Sequence, residues 1–148
     1  MPDLTFDDFE PGQVYDLGER EVTEEEIVEF ARRWDPQPFH VDPEAARESS
    51  FGGLIASGWH TGAMWMRLYV DSLLVGAASM GSPGIEELRW LAPVRPGDTL
   101  EGRLTVLEAT PSERRPDRGT IRIRGEMINQ DGVIVMSMVS RGHFGRSS

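Results

Sequence analysis

The run from Gly58 to Leu74 constrains this chain most. Trp59, Met64, Trp65, Leu68, Tyr69 and Leu73 fall on nearly every side of a helix, with Arg67 and Asp71 the main polar interruptions. A helix that is apolar on most faces has to be wrapped by the rest of the fold. The wrapping material follows directly. After the Gly76–Gly84 connector the hydrophobic period changes from helical to alternating, and Ile85 to Trp90, Thr99 to Ala109, Thr120 to Asn129 and Val133 to Phe144 read as strands. Arg95-Pro96-Gly97-Asp98 and Gln130-Asp131-Gly132 are turn signals, and Thr110 to Gly119 is a polar loop. Three long antiparallel strands with shorter ones, curled around one helix, predict an α+β domain spanning residues 1–148. At 148 residues and 39% hydrophobic, the chain suffices for one core and is short for two.

Upstream, residues 1–22 read as a lead-in with one short strand and an exposed edge at Glu19, Arg20 and Glu21. Thr23-Glu24-Glu25-Glu26 is a capping box opening a helix whose stripe is Ile27, Phe30, Ala31 and Trp34. Asp35 precedes Pro36 and is pushed out of helical geometry, so the helix ends near Trp34. Pro36 to Val41 is expected to be extended. Asp42-Pro43 then starts a short helix to about Arg47, with Asp42 as its cap. Ser57 is the expected cap of the long helix, and Trp59, Met64, Trp65 and Met66 are read as core.

The chemistry gathers at the joints between these helices. Asp35 and His40 lie five residues apart on a hook carrying Pro36 and Pro38, and a helix N-terminus follows at Gly58. A carboxylate, an imidazole and a free backbone N–H make an acid–base pair with an anion-stabilising donor. Each feature alone has a plainer reading: an aspartate before proline ends helices, a single histidine is more often structural, and a glycine allows packing. Their proximity raises all three together. Around them, Phe39, Trp59 and His60 are expected to border a pocket, His60 lining or plugging it rather than moving protons. Ser57 either caps the helix or touches a substrate carbonyl. His143 has no evident partner.

Bulk properties exclude several alternatives. There is no cysteine, so thiolate nucleophiles, thiolate metal sites and disulfides are out. No closely spaced ligand set suggests a metal, and no cofactor is expected. The net charge of −10 argues against nucleic acid or an anionic membrane as partner. The acidic N-terminus is no signal peptide and no run approaches a membrane span, so a soluble cytoplasmic protein is expected. All fifteen basic residues are arginine. Arg32, Arg33, Arg89, Arg95, Arg122 and Arg124 are candidates for gripping phosphates.

The order of elements, with Asp35-Pro36-Gln37-Pro38-Phe39-His40 in an overhanging segment, resembles the MaoC-like hydratase/dehydratase family of the hot-dog fold. That family's pattern is Asp-x-Asn-Pro-x-His followed by a His-Gly pair, and Asp35, Pro38, His40 and Gly58 match it. Pro93-Val94-Arg95-Pro96-Gly97-Asp98 is similar to the family's turn into a strand. Gln37 stands where the family has asparagine, Trp34 where it has glycine, and Ser57 where it has histidine. The resemblance implies an antiparallel sheet around a central helix and a homodimer formed edge to edge. It implies reversible addition of water to a trans-2-enoyl thioester of coenzyme A or acyl-carrier protein, giving the (R)-3-hydroxyacyl product. In that frame Asp35 and His40 are catalytic, the Gly58 amide is the oxyanion donor, and Phe39, Ser57, Trp59 and His60 contact substrate. A branched, dicarboxylic or carrier-bound acyl substrate and a non-catalytic acyl-CoA-binding module are the alternatives, with a thioesterase less favoured.

Overall fold

The computed structural model describes residues 2–147. A 3₁₀ turn at Phe6–Asp8 leads into strand β1 (Val14–Glu21). Helices α1 (Glu24–Trp34), α2 (Pro38–Val41), α3 (Pro43–Glu48) and α4 (Gly58–Ser72) follow. Strands β2 (Gly84–Trp90), β3 (Thr99–Pro111), β4 (Arg118–Ile128) and β5 (Ile134–Gly145) complete the chain. The strands form one antiparallel sheet in the order β1-β3-β4-β5-β2, so β1 and β2 are its two edges.

The alternation read from the sequence decides which face of the sheet turns inward. Leu100, Leu104 and Val106 on β3, Ile121, Ile123 and Met127 on β4, and Met136 and Met138 on β5 are buried. Met64, Trp65 and Tyr69 of α4 pack into the same cluster. Trp65 is wholly buried, and a Cβ on Gly125 would lie 2.4 Å from its ring, so β4 carries a glycine where the helix comes closest. Its indole N–H donates to the Arg103 carbonyl at 3.2 Å, and the Ser72 hydroxyl donates to the Leu17 carbonyl. The second bond falls at the residue where the β1 register slips between Asp16 and Gly18. Truncating a buried tryptophan of this kind costs about 3–5 kcal/mol.

Four local expectations are corrected. Pro36 to Val41 is not extended throughout: α2 occupies Pro38–Val41, because proline suits the first helical position and the His40 and Val41 amides both close on the Gln37 carbonyl. The capping box at α1 is half present, since the Glu26 amide donates to Thr23 Oγ1 while the Glu26 side chain pairs with Arg20 instead. Ser57 makes no side-chain cap for α4; its hydroxyl is used elsewhere. Met66 and Trp59, read as core, are 44% and 59% exposed. Asp42 does cap α3, accepting from the Glu44 and Ala45 amides. His143 meets the Thr120 hydroxyl across β4 and β5 at 2.9 Å.

Candidate active site

Asp35 closes α1. Its amide donates to the Ala31 carbonyl, and Pro36 diverts the chain so that the Asp35 side chain faces α2 and the start of α4. Both carboxylate oxygens are engaged. The Gln37 amide donates to Oδ1 at 2.7 Å and the Ser57 hydroxyl donates to Oδ2 at 2.7 Å. Partial burial raises the carboxyl's pKa. The Gln37 and Ser57 hydrogen bonds and the nearby His40 outweigh that and hold it below the usual carboxylate value.

His40 is buried in the single turn of α2, which the Ile55 amide ties down by donating to the Phe39 carbonyl. Its Nδ1 lies 2.7 Å from the Ile55 carbonyl. A carbonyl only accepts, so Nδ1 carries a proton and Nε2 is left for another partner. That nitrogen is 3.3 Å from Asp35 Oδ2. The sequence-predicted acid and imidazole therefore do meet, through the oxygen that Ser57 also holds.

Gly58 opens α4. Its amide is among the four that a helix start leaves without an intrahelical acceptor, and the helix dipole favours negative charge there. The glycine also has a packing reason: an added Cβ would fall 2.3 Å from Trp90 Cε2 and 2.4 Å from Cδ2. Trp90 in turn stands edge to face with Trp59, ring centres 5.1 Å apart.

These groups share a cavity of about 540 Å³ lined by Asp35, Gln37, Phe39, His40, Gly58, Trp59, Trp90 and neighbouring apolar residues. Ser57 is fully buried and absent from that lining: it stands behind Asp35 as its hydrogen-bond partner. His60 is also outside the cavity. Its ring stacks on Phe30 at 4.7 Å and 9°, and it lines a separate groove along α1. Two residues along the helix, just over half a turn, rotate it away from Gly58. Gln37, noted in the sequence only as standing where the family has asparagine, and Trp90 line the cavity without having been among the expected site residues. Gln37 had a signal, an amide two residues beyond a carboxylate; Trp90 had none, because its approach to Gly58 depends on how β2 lies against α4.

The chain's relatives carry the same arrangement of elements. A family model described as a MaoC-like domain matches residues 8–124. The crystal structure of a MaoC-like dehydratase from Rhodospirillum rubrum superposes with a TM-score of 0.88 at 42% identity, covering 98% of this chain and 99% of that one. The unliganded R-hydratase PhaJ1 from Pseudomonas aeruginosa superposes with a TM-score of 0.75 at 25% identity, covering 98% and 91%. A 3-hydroxybutyryl-CoA dehydratase from Methylorubrum extorquens is 29% identical over 133 residues, 87% of this chain and 80% of that one. This chain belongs to the MaoC-like family of hydratases and dehydratases and has its hot-dog fold.

Proposed function

We propose that this protein catalyses reversible hydration of trans-2-enoyl thioesters to (R)-3-hydroxyacyl thioesters. The observation that carries the reading is the 3.3 Å approach of Asp35 Oδ2 and His40 Nε2 inside a cavity that also reaches the start of α4 at Gly58. Hydration needs a base for the attacking water, a proton for C2 and a donor for the thioester oxygen as charge builds on it.

The three groups divide that work. With the thioester oxygen at the Gly58 amide, C3 and C2 lie over the acid–base pair. Asp35, held ionised by two donors, takes a proton from water as its oxygen bonds to C3. The π electrons shift toward the thioester oxygen, and His40, protonated at Nε2, delivers that proton to C2. The cycle ends with a protonated Asp35 and a neutral His40. Transfer between Oδ2 and Nε2 restores the starting state without another residue. The hydroxyl at C3 and the hydrogen at C2 arrive on the same face, which makes the addition syn.

Asp35, His40 and Gly58 all come from one chain, and assembly is a separate proposal. β2 is an unpaired edge whose residues are mostly exposed, suited to antiparallel pairing with β2 of a second copy. Size-exclusion chromatography with light scattering tests for that homodimer. The test of the activity is an absorbance assay with crotonyl-CoA. Wild type consumes the conjugated thioester, and Asp35→Asn and His40→Gln both stop it while keeping the folded spectrum. Saturable binding with no turnover leaves an acyl-CoA-binding module, and release of free thiol identifies a thioesterase.

A further inference from the structure

Resting on the hydratase reading, we propose that Trp90 sets the acyl-chain length of this site and makes it selective for short, crotonyl-length enoyl groups. The indole is placed by two contacts. It lies flat enough on Gly58 that a Cβ there would come within 2.3–2.8 Å of its Cε2, Cδ2 and Nε1 atoms, and its outer side meets the Trp59 ring at 77°. The wall is therefore pressed against the peptide that takes the thioester oxygen. An acyl chain bound there runs along the indole from its first carbons.

The lining also reaches the core. It includes Ala56, Thr61 and Val135, all buried, and their neighbours Met64, Trp65 and Met136 are core residues exposed by 3% or less. Interiors packed at this density admit extra methylenes only by displacing side chains. Trp90 is the bulky wall that packs directly on Gly58. It is 45% exposed and sits at the end of edge strand β2, so shortening it enlarges the cavity without unpacking the core. One methylene in an apolar pocket is worth about 10–200-fold in selectivity, enough for a single wall residue to set the preference.

The test compares kcat/KM for crotonyl-, hexenoyl- and octenoyl-CoA in wild type, Trp90→Phe and Trp90→Ala, with Asp35→Asn as the blank. Wild type is expected to favour crotonyl-CoA over octenoyl-CoA by at least about tenfold. Trp90→Ala is expected to erase or invert that ratio, chiefly through a lower KM for octenoyl-CoA, and Trp90→Phe to fall between. A wild type that handles octenoyl-CoA as well as crotonyl-CoA overturns the proposal, as does a folded Trp90→Ala protein with an unchanged ratio. If Trp90→Ala does not fold, the wild-type profile and the Phe variant decide. Absence of Asp35-dependent turnover for every chain length is a different result: it removes the hydratase reading, and the selectivity proposal with it.

Discussion

Two histidines, one on α2 and one on α4, are 5% and 6% exposed, and only one of them faces Asp35 in the cavity. His40 has both ring nitrogens addressed: Nδ1 by the Ile55 carbonyl, Nε2 by Asp35. His60 is stacked on Phe30, and its Nδ1 is buried without a hydrogen-bond partner among the described residues. Burial of an imidazole therefore says little about function. What distinguishes His40 is that one ring nitrogen is held by a carbonyl while the other is aimed at a carboxylate in a cavity. His60 instead joins α4 to α1, and burial lowers its pKa, opposed by the charge of Glu26 and aided by that of Arg20.

Removing the pair that defines the His40 side of this contrast has the largest expected effect. Asp35→Asn and His40→Gln each lower kcat by about 10²–10⁴-fold, the usual worth of a general acid or base, and kcat/KM falls with it. A mutant retaining near-wild-type turnover would erase the distinction between the two histidines.

Ser57→Ala comes next. It deletes a donor to a charged oxygen, an interaction worth about 1.5–3 kcal/mol and hence about 10–100-fold in rate if it is fully expressed in the transition state. The pH profile separates this role from a merely structural one. Asp35 works ionised, so activity falls as pH drops through its folded pKa. Loss of the Ser57 bond raises that pKa, and the acid limb of kcat/KM moves to higher pH. By linkage, Asp35's contribution to stability is present above its ordinary value near 3.8 and is lost below it, so Ser57→Ala also weakens acid resistance. Gln37→Ala acts in the same direction by a smaller amount, because Gln37 is exposed to water that can replace its bond.

The contrast also marks what a sequence can reveal. The α4 stripe and the period-two strands were legible because burying apolar surface is a pattern carried by many residues at once. Asp35 and His40 were legible because five residues and two prolines leave few ways to separate them. Ser57 and His60 were not. Ser57 sits at the right place to cap α4, but a half-buried carboxylate 22 residues earlier in sequence competes for its hydroxyl and wins. His60 is two residues from Gly58, yet a helical turn points it at Phe30, and nothing local encodes which face α1 will cover. Trp90 and Gly58 are far apart in sequence, and their contact exists only once β2 has paired with β5.

The smallest effect, and the cleanest comparison, is expected from His60→Phe. Phenylalanine keeps the stack on Phe30 and removes a buried nitrogen that has no hydrogen bond, an omission that costs about 1–3 kcal/mol. Turnover should stay within about threefold of wild type, under about 0.7 kcal/mol of barrier, and the melting temperature at neutral pH should hold or rise. The pH dependence gives the sign. His60's folded pKa is depressed, so below its ordinary value near 6.5 the unfolded chain binds the proton that the folded chain refuses. Wild type thus has its full His60 contribution above that value and loses stability as pH falls from it toward the folded pKa. His60→Phe has no such proton to bind, so the gap in melting temperature between the two proteins should widen through that window and then level off. A gap that stays constant from neutral pH downward would mean that the ring is not held neutral by burial. His60 would then have to be treated as a second working imidazole beside the one that Asp35 faces.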